Sequence, residues 1–310
     1  MRLLTLGLLS LGWASGQVPT SSETNVYTFD PNGHRLPWVE SVTGDGTSEQ
    51  RLRNLNGATA PLERLEQRVV REDGSGRVIE RIVRPFDPTG QPGPPRKYIS
   101  EERKGADGSI VMEMQVLHGT INGSFSLHER ITSVARQNAE GETVETQVAR
   151  PTLNGAVEVV ERKQTQSTPT GLNGKTEEET TFRKDVNGSF RTAAREVREV
   201  RQEGNRTVEN AARYYAEADG RMVLSVQAVS ETRKGPGGSE ITEISIFGLN
   251  APGRPAGNQP QLREVQIIEK KIAGGSIIES LSIRRPALDD ARRLGPPQKV
   301  SERVCTGSCR

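Results

Sequence analysis

The chain has 310 residues, of which 32% are hydrophobic and only 4% aromatic, so it is long enough for a core but poor in the large side chains that fill one. Lys and Arg total 42 against 40 Asp and Glu, and the two signs are interspersed along the chain. This balance offers no basic stripe, which argues against nucleic acid and against anionic lipid as partners.

The N-terminus has the pattern of a cleaved secretory signal peptide over residues 1–16. Arg2 precedes an apolar run over residues 3–13, and small residues then occupy positions −3 and −1 of a cut before Gln17. The run is too short to span a bilayer, and a buried N-terminal helix is the less favoured alternative. We therefore expect the mature chain to be secreted, to the periplasm or the extracellular space.

The first part of the mature chain, residues 17–60, is expected to be irregular apart from one hairpin that turns at residues 30–33. The main sheet is expected over residues 61–285. It begins with a hairpin that joins residues 63–72 to 77–83. Apolar residues spaced three and four apart in the first of these segments also fit a helix, but the symmetry about a Gly-rich turn favours the hairpin.

Turn dipeptides then recur at a steady interval. Gly123, Gly155, Gly188 and Gly220 are 32 or 33 residues apart, and each follows Asn or Asp, which suit tight turns with positive φ. Short connections require neighbouring strands to pair antiparallel. We predict an all-β fold, a long antiparallel meander of repeated hairpins of about 33 residues each, in an extended or curled sheet. Pro- and Gly-rich segments at 85–95 and 251–260 interrupt it.

The turn spacings also alternate, which predicts two different edges of the sheet. The edge that contains Gly123 is expected to carry tight two-residue turns. The other edge is expected to carry roomier loops, such as residues 167–174 and 234–238. Because binding residues are concentrated on loops, the roomier edge is where loops could hold a ligand, if one is bound.

The C-terminal segment, residues 286–310, is predicted to be a short helix and a tail. Residues 288–294 carry apolar side chains at helical spacing after Pro286. In an oxidising compartment, the pair of Cys305 and Cys309 favours a local disulfide, with an intermolecular linkage as the second possibility. Three residues separate the cysteines, which is not the spacing of a redox motif.

One hairpin predicts an apolar face. A two-residue turn at Asn122-Gly123 pairs residues whose numbers sum to 245. That register gathers apolar side chains opposite a mostly polar face, as in a sheet that covers a core. We interpret them as core or as the lining of an apolar ligand site. They are Ile110, Met112, Met114, Phe125, Leu127 and Ile131.

Residues that carry chemistry are few. The only histidines are His34, His118 and His128, and the predicted register separates the last two onto opposite faces. No third ligand has a recognisable spacing, and no nucleophile, phosphate-loop or zinc motif is present. We expect no catalytic residue, no metal and no cofactor. A membrane-spanning barrel would need two aromatic girdles, for which the chain has too few aromatic residues, so no transmembrane segment is expected in the mature chain.

These observations favour a secreted, non-enzymatic structural or adhesive protein of the cell envelope or extracellular space. Long strands at a free sheet edge would allow self-association with another copy. The alternative is a module that holds an apolar or glycan ligand on the curled sheet. A hydrolase with a site on the loops is the least favoured hypothesis.

Overall fold

The chain forms a single antiparallel sheet that closes into a barrel. A computed structural model describes residues 21–44, 46–53, 58–120, 122–249, 260–287, 293–307 and 309. Eighteen strands follow one another around the barrel in chain order, and β1 pairs with both β2 and β18. The strands are β1 (Ser22–Phe29), β2 (Arg35–Gly44), β3 (Thr47–Arg53), β4 (Thr59–Asp73), β5 (Gly76–Pro85), β6 (Arg96–Lys104), β7 (Ile110–Gly119), β8 (Phe125–Asn138), β9 (Gly141–Pro151), β10 (Val157–Pro169), β11 (Gly174–Lys184), β12 (Phe190–Glu203), β13 (Arg206–Ala216), β14 (Met222–Lys234), β15 (Glu240–Gly248), β16 (Gln261–Ala273), β17 (Ser276–Arg284) and β18 (Gln298–Gly307).

The predicted all-β antiparallel meander is confirmed, but the prediction of an extended or curled sheet is wrong. β1 and β18 pair over seven residues, from Ser22 opposite Gly307 to Thr28 opposite Ser301. A twisted sheet of this many strands cannot stay flat, and closure gives the backbone groups of both edge strands a partner. Neither β1 nor β18 has a free edge, so the predicted edge-to-edge association has no strand to use. Other modes of self-association stay a prediction.

The predicted C-terminal helix is also wrong. Within the described part of the segment, Pro286 and Leu294 form an isolated antiparallel bridge, and residues 288–292 lie outside the described residues. The expected tail instead contains β18, which fills the gap between β17 and β1. The unpaired backbone groups of those two strands are the physical reason, because they need hydrogen-bond partners and β18 supplies them on both sides.

Seven connections share one turn geometry, which replaces the predicted two-residue turn. In each, a glycine with φ between 81° and 84° donates its N–H to the carbonyl three residues earlier. The glycines are Gly33, Gly90, Gly108, Gly123, Gly155, Gly188 and Gly220. Six of the seven turns follow odd-numbered strands. Two-residue turns occur instead after even-numbered strands, at residues 74–75, 139–140, 204–205 and 274–275, so the predicted assignment of tight turns to the Gly123 edge is wrong.

A β-bulge lies at a constant distance from most of these turns. The unpaired residue is five positions after the turn glycine in β2, β8, β10, β12 and β14. β4, β16 and β18 carry a bulge near the same end of the barrel. Each bulge adds one residue to one strand and increases the local twist. It also reverses the face on which the residues between the bulge and the turn lie.

Burial distinguishes the two faces of the barrel wall. In β10, Glu161, Lys163 and Thr165 are half-buried and Ser167 is buried, whereas the side chains between them are exposed. Side chains on a concave surface crowd one another, so we assign the more buried face to the lumen. Eleven of the thirteen buried strand side chains lie on this inner face; Glu80 and Val265 lie on the outer face. The eleven are Ile79, Val83, Ser100, Val116, Ser133, Val148, Ser167, Thr181, Ala228, Ile283 and Cys305.

The barrel is wide because it has eighteen strands. Eighteen strands spaced about 4.8 Å apart and tilted by about 40° enclose a backbone cylinder roughly 35 Å across. Barrels of this strand number leave an aqueous channel rather than a packed interior. The low content of hydrophobic and aromatic residues therefore suits the fold, because a hollow barrel needs no large core.

Candidate functional site: the lumen wall and the two rims

The bulge at His128 divides the predicted apolar set between two faces. Pairing follows the prediction from Ile110 opposite Ala135 to Val116 opposite Glu129. Nearer the turn it is shifted by one residue. Two members of the set, Phe125 and Leu127, therefore face outward. The four that face the lumen are Ile110, Met112, Met114 and Ile131.

The lumen wall has an apolar sector and a charged sector. Inner-face residues of β5–β9 include Ile79, Val83, Met112, Met114, Val116, Ile131 and Val148. Inner-face residues of β10–β13 are largely ionised and form cross-strand pairs, such as Arg183–Glu161 at 2.9 Å and Arg198–Glu209 at 3.1 Å. The interspersed charges of the sequence do not by themselves predict that this second sector lines a lumen.

The same bulge brings two histidines together. The rings of His118 and His128 stack with centroids 3.9 Å apart and planes inclined by 12°. Loss of contact with water lowers the pKa of His118, and the charges of His128 and Arg96 lower it further. Within the described residues no group of three or more His, Cys, Asp or Glu side chains could hold a metal ion. The pair is thus two donors short of a structural zinc site.

The third histidine belongs to a turn rather than a cleft. His34 Nδ1 lies 2.9 Å from Asp30 Oδ2, and the His34 side chain is 74% exposed. The hydrogen bond with the His34 imidazole lowers the pKa of Asp30 most, and the hydrogen bonds that Asp30 Oδ1 accepts from the backbone N–H groups of His34 and Asn32 lower it further. The pair stabilises the β1–β2 turn.

The two cysteines lie at the end of the barrel where β1 begins and β18 ends. The structure joins Cys305, at the end of β18, to Cys309, with 5.9 Å between their Cα atoms. A local disulfide has this geometry. Counting free thiols in the native protein is the remaining test of the pairing.

An open groove lies at the β9–β10 turn. Its volume is about 640 Å³, and Pro151, Thr152, Leu153, Asn154 and Glu158 line it. The predicted apolar set contributes nothing to its lining. A shallow groove of turn residues lacks the enclosed apolar shape that small-molecule sites have.

The connections divide into two rims with different compositions. We call the connections after odd-numbered strands, with four strand residues on either side, the aromatic rim. The connections after even-numbered strands, with four strand residues on either side and the ends of the barrel chain, are the acidic rim. Every phenylalanine, tyrosine and histidine of the chain, and Trp38, lies in the aromatic rim. The aromatic residues are Tyr27, Phe29, Trp38, Phe86, Tyr98, Phe125, Phe182, Phe190, Tyr214, Tyr215 and Phe247.

Charge follows the same division. Among described residues, the aromatic rim has seventeen basic and seven acidic residues, and the acidic rim has twelve basic and seventeen acidic ones. The basic residues of the aromatic rim are Arg35, Arg51, Arg53, Arg84, Arg96, Lys97, Arg150, Arg183, Lys184, Arg191, Arg213, Arg221, Arg263, Arg284, Arg285, Arg293 and Lys299. Its acidic residues are Asp30, Asp87, Glu158, Asp185, Glu217, Asp219 and Glu264. The two ends of the barrel therefore differ in the sign of their net charge, although the chain as a whole is near neutral.

Most of the aromatic rings of that rim lie on the outer side of the wall. The pairing register places seven there: Tyr27, Phe29, Phe125, Phe182, Phe190, Tyr214 and Phe247. Four of them carry a cation over the ring, with Arg35 3.5 Å from the centroid of Tyr27 and Arg162 4.2 Å from that of Phe190. Lys97 approaches Phe125 and Lys299 approaches Phe29. Such contacts combine apolar area with positive charge at one place.

Comparison with known proteins gives no relative: no family model matches the chain, and no curated protein is significantly similar to it. Within the residues that the structure describes, no helix is long and apolar enough to cross a bilayer.

Proposed function

We propose that the protein is a secreted, non-enzymatic structural element, a hollow barrel whose wall has water on both sides. The observation that carries the proposal is the closed sheet with ion pairs in the middle of its strands on both faces. Arg195 holds Glu178 through two hydrogen bonds of 2.7 and 2.8 Å on the outer face, and Lys163 lies 3.3 Å from Glu179 on the inner face. Ionised groups on both faces need water or partners, which a wetted wall supplies.

A scaffold fits the way the wall is held together. Antiparallel pairing runs around the whole circle, so every strand has a neighbour on both sides. A closed circle of strands resists opening, because any break exposes two rows of unpaired backbone groups. Such a barrel keeps its shape without a packed core, and it can act as a spacer or an adhesive support outside the cell.

The positions of the three histidines do not favour catalysis. In the described part of the chain, His118 stacks on His128, and His34 belongs to an exposed turn. A general base must lie within hydrogen-bond reach of a nucleophile or of a substrate held in a cleft. The location outside the cytoplasm is supported by the signal-peptide pattern over residues 1–16.

A deletion strain tests the proposal. We expect antibody detection of the mature protein, with Gln17 as its first residue, outside the cytoplasm, and greater sensitivity of the deletion strain to detergent. The wild-type gene should restore resistance, and so should a gene with Met112→Ser and Met114→Ser, because a scaffold does not depend on the chemistry of its lumen. Cytoplasmic retention, or full resistance without the gene, would contradict the proposal.

A second candidate function is the binding of an apolar or glycan ligand in the lumen. The observation that favours it is the apolar sector of β5–β9, which lies on the lumen wall directly beside the charged sector of β10–β13. In the same complementation experiment, failure of the Met112→Ser and Met114→Ser gene to restore resistance would favour this candidate. A folded variant protein, checked by circular dichroism, is required for that conclusion.

A further inference from the structure

The aromatic rim has a composition that folding alone does not require. A wall with water on both sides gains little from placing seven aromatic rings on its outer surface at one end, where several remain partly exposed. Phe125 is 36% exposed and Trp38 is 49% exposed. Large apolar side chains that are exposed together mark an interaction surface. Eleven of the seventeen basic residues of the rim pair with carboxylates, but the rim still has ten more basic than acidic residues, and this excess favours a partner that is negatively charged.

The geometry of the rim defines the shape of the partner. The outward rings lie within four strand residues of the connections, two of them on β1 and the other five on strands from β8 to β15. Four residues at about 3.4 Å each, on strands tilted by about 40°, form a band roughly 10 Å deep. A layer into which the rim is immersed contacts the rings of β1 and those of β8–β15 together. A partner that covers only β8–β15 would leave the two rings of β1 exposed.

We propose that the aromatic rim docks on an anionic lipid surface. The rings would lie at the level of the headgroups, where amphipathic aromatic residues are favoured, and the cations would contact lipid phosphates. The depth of the band matches the 5–10 Å to which interfacial apolar faces enter a bilayer. The cations that cover Tyr27 and Phe190 place positive charge beside apolar area, which this boundary layer requires of a protein surface.

A second copy of the chain is the main competing occupant. The basic end of one barrel and the acidic end of another are complementary in charge, and head-to-tail contacts of this kind build filaments. An end-to-end contact covers the tips of the connections, however, and leaves the outward rings of the side wall in water. Only a surrounding layer covers both the rings and the charges, so the lipid surface accounts for more of the rim.

Vesicle binding tests the proposal and does not depend on a structural role for the barrel. All eighteen strands lie between Ser22 and Gly307, so the chain from Gln17 contains the whole barrel without the apolar run over residues 3–13. In that chain Trp38 is the only tryptophan, and it lies in the aromatic rim. The probes are vesicles of phosphatidylglycerol and phosphatidylcholine in equal parts and vesicles of phosphatidylcholine alone, with co-sedimentation and Trp38 emission as the two readouts.

Matched variants at the two rims locate the contact. Phe125→Ser with Val157→Ser removes outward apolar area at the aromatic rim, and Val42→Ser with Ile241→Ser removes similarly exposed area at the acidic rim. Arg84→Gln with Lys184→Gln and Arg103→Gln with Arg201→Gln form the corresponding pair of charge variants. We expect the first of each pair to weaken binding to the anionic vesicles, at least tenfold for the apolar pair and roughly twentyfold for the charge pair. The controls should change it less than twofold.

Each outcome decides the proposal. It is supported if the protein binds anionic vesicles more tightly than neutral ones, with a blue shift of Trp38 emission and loss of affinity only in the aromatic-rim variants. It is overturned if the wild type binds neither vesicle, if it binds both equally, or if the acidic-rim controls weaken binding as much. Salt-sensitive filaments without vesicle binding would assign the rim to a second copy. If an apolar variant does not fold, the two lipid compositions and the charge pairs still decide.

Discussion

Glu80 is a buried carboxylate on the outer face of the wall that pairs with two cations. Its carboxylate is buried although it lies on the outer face, because Lys97 and Arg68 cover it. The hydrogen bond from Lys97 lowers the pKa of Glu80 most, burial opposes it, and the charges of Lys97 and Arg68 lower it further. The sequence shows three charges in neighbouring segments but not that β4, β5 and β6 bring them together.

Replacing Glu80 tests this cluster. Glu80→Gln should lower the free energy of unfolding at pH 7 by about 1–3 kcal/mol, because two cations lose a charged hydrogen-bond partner. Since the pKa of Glu80 is lower in the folded state, its contribution is present above the unfolded value of about 4.3 and is lost as pH falls through the folded pKa. Urea denaturation at several pH values should show the difference shrink in acid. Glu66→Gln, in an exposed pair with Arg64, is the control and should cost less than about 0.5 kcal/mol. A loss of equal size in both variants would contradict the account.

The stacked histidines make a second prediction at this scale. Because loss of water and the charge of His128 lower the pKa of His118, its imidazole should titrate below the ordinary value of 6.5, and His128→Asn should raise the midpoint. The folded state therefore loses stability as pH falls below the unfolded pKa, since the unfolded imidazole binds a proton more readily. Proton NMR titration measures the midpoint. A midpoint of 6.5 or more in the wild type would refute the stacked arrangement.

The repeated element of the fold is a turn followed by a bulge. The period of 32 or 33 residues predicts the hairpins from Gly123 onward, because Asn-Gly and Asp-Gly have a strong local preference for turns. The bulges carry no such preference, so a simple sum rule assigns Phe125 and Leu127 to the wrong face. One extra residue has this effect because side chains alternate with a period of two. The His118–His128 pair is missed for the same reason.

Glycines of the two rims should respond differently to substitution. Gly155 has φ +82° and open space around its missing side chain, so Gly155→Ala should cost about 1 kcal/mol of backbone strain. Gly141 has φ +141°, and a methyl group there would collide with the backbone carbonyl of Ser167. Gly141→Ala should therefore cost about 3 kcal/mol or more. Chemical denaturation of the two variants measures the difference, and equal losses would argue against the close approach of β9 and β10.

At the scale of the whole molecule, folding concentrates basic residues at one rim and acidic residues at the other, although both are interspersed along the sequence. Charges of both signs alternate along the chain, and net charge predicts no basic surface. The meander carries successive turns to opposite ends, so segments about sixteen residues apart accumulate at different rims. β3, β6 and β18 are missed in the sequence because they lack a regular apolar pattern. They become strands because the strands on either side supply hydrogen-bond partners for their backbone, and a local sequence pattern does not show those partners.

Closure of the circle is the central claim, and disulfide trapping between β1 and β18 tests it most directly. With Cys305 and Cys309 replaced by Ser, Val26→Cys combined with Arg303→Cys places two thiols opposite each other in the register of the closed barrel. Because alternate antiparallel pairs differ in spacing, the adjacent pair Asn25→Cys with Val304→Cys is made as well. Val26→Cys with Val39→Cys, across β1 and β2, is the positive control.

The control should form an intramolecular disulfide whether the sheet is open or closed, as seen by gel mobility and mass spectrometry after mild oxidation. We predict that at least one of the two β1–β18 pairs forms its bond as readily as the control. Trapping of the β1–β2 control alone, with both β1–β18 pairs left reduced, would contradict the closed barrel.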